Sequence, residues 1–256
     1  MMSGNFWDKG IQLVDGCTHE SGGCRNCWSE AMTARFKRVP EVITNGKFNG
    51  TVKFNLHLLE KAAKVKKPHV YAIWNDLYHE GVTDEQVRQA YYIMHHRPYD
   101  TFLIITKRIE RFSKIFYKPM KGWSLPNNIW HIVTMESQAM VDKRMPHLLQ
   151  IPGKRGVIVE PMLEAVDLTK WLYQLDCKYK ECDGTCSGPQ LTPECHAYVN
   201  CPENKPFIHQ IIFGPENGQN KRRYEEVWGE HLFRQCEAAG VICYDKANET
   251  GVLEWR

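Results

Sequence analysis

Strong charge of one sign, long apolar runs and internal repeats are all missing from this 256-residue chain. Its 33 Lys and Arg face 30 Asp and Glu, a net charge of +3, and so small a balance does not announce a nucleic-acid binder. No window reaches the roughly eighteen consecutive apolar residues of a membrane span. Residues 1–9 carry neither the basic start nor the apolar centre of a secretory signal. A cytoplasmic protein with no membrane partner is expected. Without repeats, and with 43% hydrophobic residues, the chain is expected to form one domain over residues 1–256. Local basic groups exist at Lys61, Lys64, Lys66 and Lys67, at Lys107, Arg108 and Arg111, and at Lys221 to Arg223. Each reads most simply as a solvated helix face, a substrate with phosphates being the alternative.

Cysteine is what the chain has in quantity. Ten of them in a reducing compartment point to metal ligands and buried thiols rather than disulfides. Cys236 and Cys243 fall in an apolar helix-to-strand region and are expected as core thiols. Cys17, Cys24 and Cys27 share one loop, Gly16 to Trp28, directly after the apolar run Ile11 to Val14. Three thiolates so spaced can hold three irons of a [4Fe–4S] cluster and leave the fourth open to a ligand. Cys17 and His19 with Cys24 and Cys27 also supply the four ligands of a closed zinc site. Spacing leaves both open. Chain length favours the cluster, because structural zinc usually staples small domains.

The segment 176–206 reads as a cysteine-rich insertion, polar and punctuated by Gly and Pro. It carries Cys177, Cys182, Cys186, Cys195, His196 and Cys201, and a loop of that length needs something to order it. Cys182, Cys186, Cys195 and Cys201 are taken as a second metal site. Its spacing matches no zinc finger, so the metal stays open between zinc and an auxiliary iron–sulfur cluster.

Elsewhere apolar runs of strand length alternate with helical patterns, the mark of a parallel sheet built from βα units. The expected strands are Ile11–Val14, His69–Trp74, Thr101–Thr106, Ile129–Thr134, Gly156–Val159, Phe207–Phe213 and Gly240–Tyr244. Together they suggest an α/β fold, a partial or full TIM-type barrel. Thr83 to Gln86 is a capping-box pattern opening a helix with Val87, Tyr91 and Met94 on one face. Arg223 to Ala239 reads as a late helix closed by Gly240.

In such folds the working residues collect where strands end. Here Asn75, Asp76, His79 and Glu80 follow the second strand and Thr106, Lys107 and Arg108 the third. Glu136 and Gln138 follow the fourth, Glu160 the fifth, and Glu216 and Asn217 the sixth. Loops are polar in any protein, but an acid, base or amide at every strand end on the same rim as three thiols is more than that.

The motif series resembles a phage-associated family of radical-SAM-like proteins. It runs through Gly16-Cys17, Ser21-x-Gly23-Cys24-x-x-Cys27-Trp28, Asn75-Asp76-Leu77-Tyr78-His79-Glu80 and Ile105-Thr106-Lys107-Arg108 with Arg111. It continues through Val133-x-x-Glu136-x-Gln138, Asp142-x-Arg144, Val159-Glu160-Pro161 and Phe213-Gly214-x-Glu216-x-Gly218. The likeness covers nearly the whole chain in order. One departure is the cysteine loop, with six residues between Cys17 and Cys24 where the usual loop has three, and with the aromatic Trp28 after the last cysteine rather than before it. That departure keeps His19 open as a fourth ligand.

The resemblance implies a [4Fe–4S] cluster on Cys17, Cys24 and Cys27. S-adenosylmethionine (SAM) would chelate the open iron and be split to a 5′-deoxyadenosyl radical, with electrons from a donor such as a flavodoxin or ferredoxin. Asn75, Asp76, Thr106 and Glu216 are then expected at the cofactor, and Lys107, Glu136 and Glu160 at the reacting end. Lys107 and Arg108 suit a carboxylate or phosphate. The substrate implied is a small molecule, or a nucleotide or DNA base in phage DNA hypermodification inside an infected host cell, with isomerisation or nucleotide modification as the reaction. The competing expectation is a non-enzymatic zinc-binding adaptor or nucleic-acid-binding protein.

Overall fold

The computed structural model describes residues 6–36, 38–116, 126–151, 153–172, 208–218 and 220–255. The cysteine-rich segment 176–206, with its Cys182, Cys186, Cys195 and Cys201, lies outside them. One eight-stranded sheet dominates. Its strands are β1 (Lys9–Ile11), β2 (Val70–Ile73), β3 (Thr101–Thr106), β4 (Ile129–Thr134), β5 (Lys154–Val159), β6 (Gln210–Phe213), β7 (Ile242–Asp245) and β8 (Thr250–Gly251). They lie in sequence order across the sheet. The first seven are parallel, and β8 returns antiparallel on β7. The expected α/β class therefore holds. Among the described residues the sheet does not close into a full barrel, because β1 and β8 remain as its two edges.

The strands are legible as such because both faces of the sheet are covered, so they read as unbroken apolar runs. In β3 and β4 nearly every residue is buried. Alternate residues divide between two cores. Tyr71, Ile73, Phe102, Ile104, Val133, Val157 and Phe213 enter the larger one with the helices. Val70, Leu103, Trp130, Ile132, Ile158 and Ile212 point the other way into a smaller one, closed by Phe6 and Trp255. Trp255 Nε1 donates to Phe6 O at 2.8 Å, so two remote segments are pinned together over that face.

Helices α1 (Trp28–Phe36), α2 (Leu56–Ala63), α3 (Asp84–His95), α4 (Glu110–Phe116), α5 (Gln138–Leu149), α6 (Thr169–Leu172) and α7 (Glu226–Ala239) fill the connections. The Thr83 capping box forms as expected, Gln86 N donating to Thr83 Oγ1 and Thr83 N to Gln86 Oε1. Gly240 ends α7 at φ 65°, the left-handed conformation that glycine takes without a Cβ penalty. The run Ile11–Val14 is not one strand. The chain leaves the main sheet after Ile11, and Val14–Asp15 pairs antiparallel with Lys53–Phe54 in a separate ribbon. That detour launches the cysteine loop away from the β1 edge.

Candidate functional site

Gly16 turns the chain out of the ribbon at φ 79°. A Cβ there would lie 2.1 Å from Thr51 O, so both the angle and the space require glycine. From this turn the loop passes over the carboxyl ends of the parallel strands. Cys17, Cys24 and Cys27 all line one cavity of about 490 Å³, together with Asn75, Asp76, Thr106, Lys107, Glu160 and Glu216. Most of the rim residues expected from the sequence are thus brought together, while His79, Glu80, Glu136 and Gln138 do not line this cavity. Most of them are also hydrogen-bonded to neighbouring residues.

Three acid–arginine pairs grip the cysteine loop, two of them buried and the third, Glu216 with Arg222, partly exposed on the arginine side. Asp76, 4% exposed, accepts from Thr106 Oγ1 (2.7 Å), Tyr78 N (3.1 Å), Lys107 N (3.2 Å) and Arg108 Nη1 (3.0 Å). Arg108 passes the grip on, donating to Thr18 O (3.1 Å) and Thr18 Oγ1 (2.6 Å), with its Nη1 3.7 Å from Cys17 Sγ. Glu136 accepts from Gly23 N at 3.0 Å and from Arg144 Nη1 at 3.0 Å. Burial works to raise its carboxyl, and the loop hydrogen bonds with the Arg144 guanidinium outweigh that and hold it low. Glu216 is held by Arg222 through both carboxylate oxygens, and it accepts from Asn26 Nδ2 at 2.9 Å. Arg222 also donates to Gly22 O at 2.8 Å. Burial alone would raise the Glu216 carboxyl, but the Arg222 hydrogen bonds and the Asn26 amide bring it down to about 2.

These bonds redefine the rim. Glu136 and Glu216 bond the loop directly, Asp76 and Thr106 reach it only through Arg108, and Glu136 does not line the cavity. Asn75, at φ 52°, donates to Val14 O at 2.6 Å and accepts from Ser29 Oγ. Glu160 is paired with Lys246 Nζ at 2.6 Å and takes the Asn217 amide. Arg108, expected to suit a ligand anion, is committed to Asp76, Glu80 and Thr18. Lys107 is the exception. It lines the cavity half-buried and close to Cys27, and its ammonium has no ion-pair partner among the described residues.

His19 is engaged by Glu30. Its Nε2 lies 2.9 Å from Glu30 Oε2, and Glu30 also accepts from Lys47 Nζ and Phe48 N. A zinc site over Cys17, His19, Cys24 and Cys27 would have to share His19 with Glu30. Among the described residues no three His, Cys, Asp or Glu side chains gather closely enough for a single ion. A cluster asks for something wider, since each thiolate takes a different iron. Burial, helped by Asp76 and opposed by Arg108, pushes the Cys17 thiol up to about 12.

The cavity's aromatic wall has almost no signature in the sequence. Phe6, Trp7, Trp28 and Trp74 line it, with Trp28 and Trp74 centroids 4.7 Å apart and Trp7 and Trp74 6.0 Å apart. Gly10 makes room, since a Cβ there would sit 2.8 Å from the Trp74 ring. Of these only Trp28 had a local signal, its place beside Cys27. Cys236 and Cys243 are buried thiols in the core, as expected. No helix of the described residues is long and apolar enough to cross a membrane. The family described as protein of unknown function, DUF5131, matches residues 4–249, and the chain belongs to that family. No curated protein and no solved structure matches it.

Proposed function

We propose that the chain is a radical SAM-type enzyme whose cavity takes a [4Fe–4S] cluster on Cys17, Cys24 and Cys27. The observation that carries this is that the three thiols of one loop line a single cavity at the carboxyl ends of parallel strands, where every lining carboxylate is already bonded. The donor set fits, because thiolates suit iron–sulfur centres. A cavity of about 490 Å³ is within the range of small-molecule and cofactor sites. The sequential parallel strands support a partial barrel of the radical SAM kind.

Bound there, the cluster would supply the one-electron cleavage of SAM that yields a 5′-deoxyadenosyl radical. The chain's own residues do the rest. The three acid–arginine pairs hold the thiols in place. Lys107 offers a cation to a carboxylate or phosphate of SAM or substrate. Trp7, Trp28 and Trp74 offer flat faces to adenine or another ring and exclude water from a reactive radical. The substrate proposed is a small molecule or nucleotide, the electron source an external flavodoxin or ferredoxin, and the 176–206 segment a second metal site.

Anaerobic purification with iron, sulfide and zinc analysis tests this. Iron and sulfide should be present, Cys17→Ala, Cys24→Ala and Cys27→Ala should each remove the cluster, and His19→Ala should spare it. Stoichiometric zinc at this loop, lost in His19→Ala and never exchanged for iron, would overturn the enzyme and favour a zinc-binding adaptor.

A further inference from the structure

Helix α1 is turned inside out. Its buried residues are Ser29, Glu30 and Thr33, while Trp28, Met32 and Phe36 are 42%, 48% and 51% exposed. Residues four apart share one helix face, and a surface helix ordinarily turns such an apolar face to the core. The inversion is built in, because each buried polar group is satisfied. Ser29 donates to Asn75, Thr33 donates to Ser29 O, and Glu30 takes His19, Lys47 and the Phe48 amide. A large exposed apolar face beside buried polar groups marks an interaction surface.

The face is continuous with the cavity. Trp28 and Met32 line it, and Phe36 lies eight residues beyond Trp28, about 12 Å along the helix. Two guanidiniums, Arg35 and Arg38, each lie 5.5 Å from the Phe36 ring centroid, and neither has an ion-pair partner among the described residues. Glu30, the acid of this helix, is buried and neutralised. Protein interfaces deplete charge at their centres, whereas here the cations sit on the aromatic ring itself. Aromatic faces interleaved with cations are what bases and phosphates of a flexible strand require. We propose that the Trp28–Met32–Phe36 face, with Arg35 and Arg38, is a track that leads single-stranded nucleic acid to the cavity. Bases stack on Trp28 and Phe36, and the guanidiniums take phosphates. A duplex hides its base faces and fits poorly. The small net charge of the chain conceals this local pattern.

The inference stands whether or not irons occupy the thiol loop, so the test uses protein with and without iron. Fluorescence anisotropy would follow a labelled single-stranded oligodeoxynucleotide of about a dozen nucleotides, its duplex, and anionic phosphatidylglycerol vesicles as competitor. The single strand should bind tighter than the duplex. Phe36→Ala should weaken binding about tenfold and Phe36→Tyr should restore it. Arg35→Ala with Arg38→Ala should flatten the slope of log affinity against log salt by about 1.4. Tyr92→Ala, 66% exposed on α3, should bind as the parent does. Equal affinity of parent, Phe36→Ala and the double arginine variant would overturn the track, as would duplex binding as tight as single strand. Vesicle binding through Phe36 without oligonucleotide binding would overturn it in favour of a lipid surface. Loss of iron with these results intact would sink the cluster and not the track.

Discussion

Removing Glu136 measures what one buried acid–arginine pair contributes. The two side chains are 1% and 0% exposed with Nη1 and Oε2 3.0 Å apart. Alanine at 136 leaves the Arg144 guanidinium buried with one remaining acceptor, Thr134 O at 2.8 Å. An uncompensated buried charge costs about 3–5 kcal/mol, a large part of the ~5–15 kcal/mol that holds an ordinary domain folded. Arg144→Met should cost less, since Glu136 can take up a proton once the cation is gone and still accept from Gly23. That change also removes Arg144 Nε and Nη2, which are buried with no hydrogen-bond partner among the described residues. Glu136→Gln with Arg144→Met keeps an acceptor for Gly23 and buries no charge, so it should cost less than Glu136→Ala alone, under about 1.5 kcal/mol. Urea unfolding of the parent, Glu136→Ala, Glu136→Gln, Arg144→Met and the double variant gives the values. A double variant whose cost equals the sum of Glu136→Gln and Arg144→Met within about 0.5 kcal/mol would refute the coupling. Thiol labelling reads the loop directly, and Cys24 should react faster in Glu136→Ala because Gly23 has lost its anchor.

Gly16→Ala should cost at least about 1 kcal/mol more than Gly46→Ala in thermal unfolding. Both sit at positive φ, worth about 1–2 kcal/mol each, but only Gly16 has a carbonyl 2.1 Å from the added Cβ; equal losses would show that the Thr51 contact yields freely. Glu216, held down to about 2 from 4.5, contributes stability that is present above pH 4.5 and lost as pH falls toward 2. The parent's advantage over Glu216→Gln should therefore shrink across that window, and a gap constant with pH would contradict the pairing with Arg222. His131 is buried and held down to about 4 from 6.5, so the unfolded chain binds the extra proton and stability falls as pH drops from 6.5 to 4, by up to about 1.4 kcal/mol per pH unit. His131→Phe should reduce that slope, at the cost of about 1 kcal/mol at all pH from the lost Tyr91 hydrogen bond; an unchanged slope would mean that the other low-pKa histidines, His79 and His209, carry it all.

The strands were legible because a sheet covered on both faces writes itself as apolar runs, and β3 and β4 fall where Thr101–Thr106 and Ile129–Thr134 were expected. Ile11–Val14 misled because one apolar run serves two sheets. The rim was legible too, since parallel strands put all their carboxyl ends on one side. The roles were not. A strand-end acid looks the same in sequence whether it waits for a ligand or for an arginine. Asp76 meets Arg108 across 32 positions, Glu136 meets Arg144 across 8 and Glu216 meets Arg222 across 6. The spacing Trp28, Met32, Phe36 would ordinarily mean a buried stripe. Only the neighbours of Ser29 and Glu30, supplied by Asn75 and Lys47, turn it outward.

Stability is a poor explanation for three ion pairs around one loop, two of them buried. Apolar residues of similar volume would hold a core as well or better, because desolvation consumes most of the attraction between buried charges. What an ion pair with hydrogen bonds does supply is direction. Arg108 fixes Thr18 and approaches Cys17, Glu136 fixes Gly23, and Glu216 with Arg222 fixes Gly22 and Asn26. The anchors therefore fall beside each of the three cysteines. A loop that only had to cover the sheet would need none of them. Thiols that must meet a rigid partner at three fixed points need all three, and the wear on stability is then a consequence of positioning the loop.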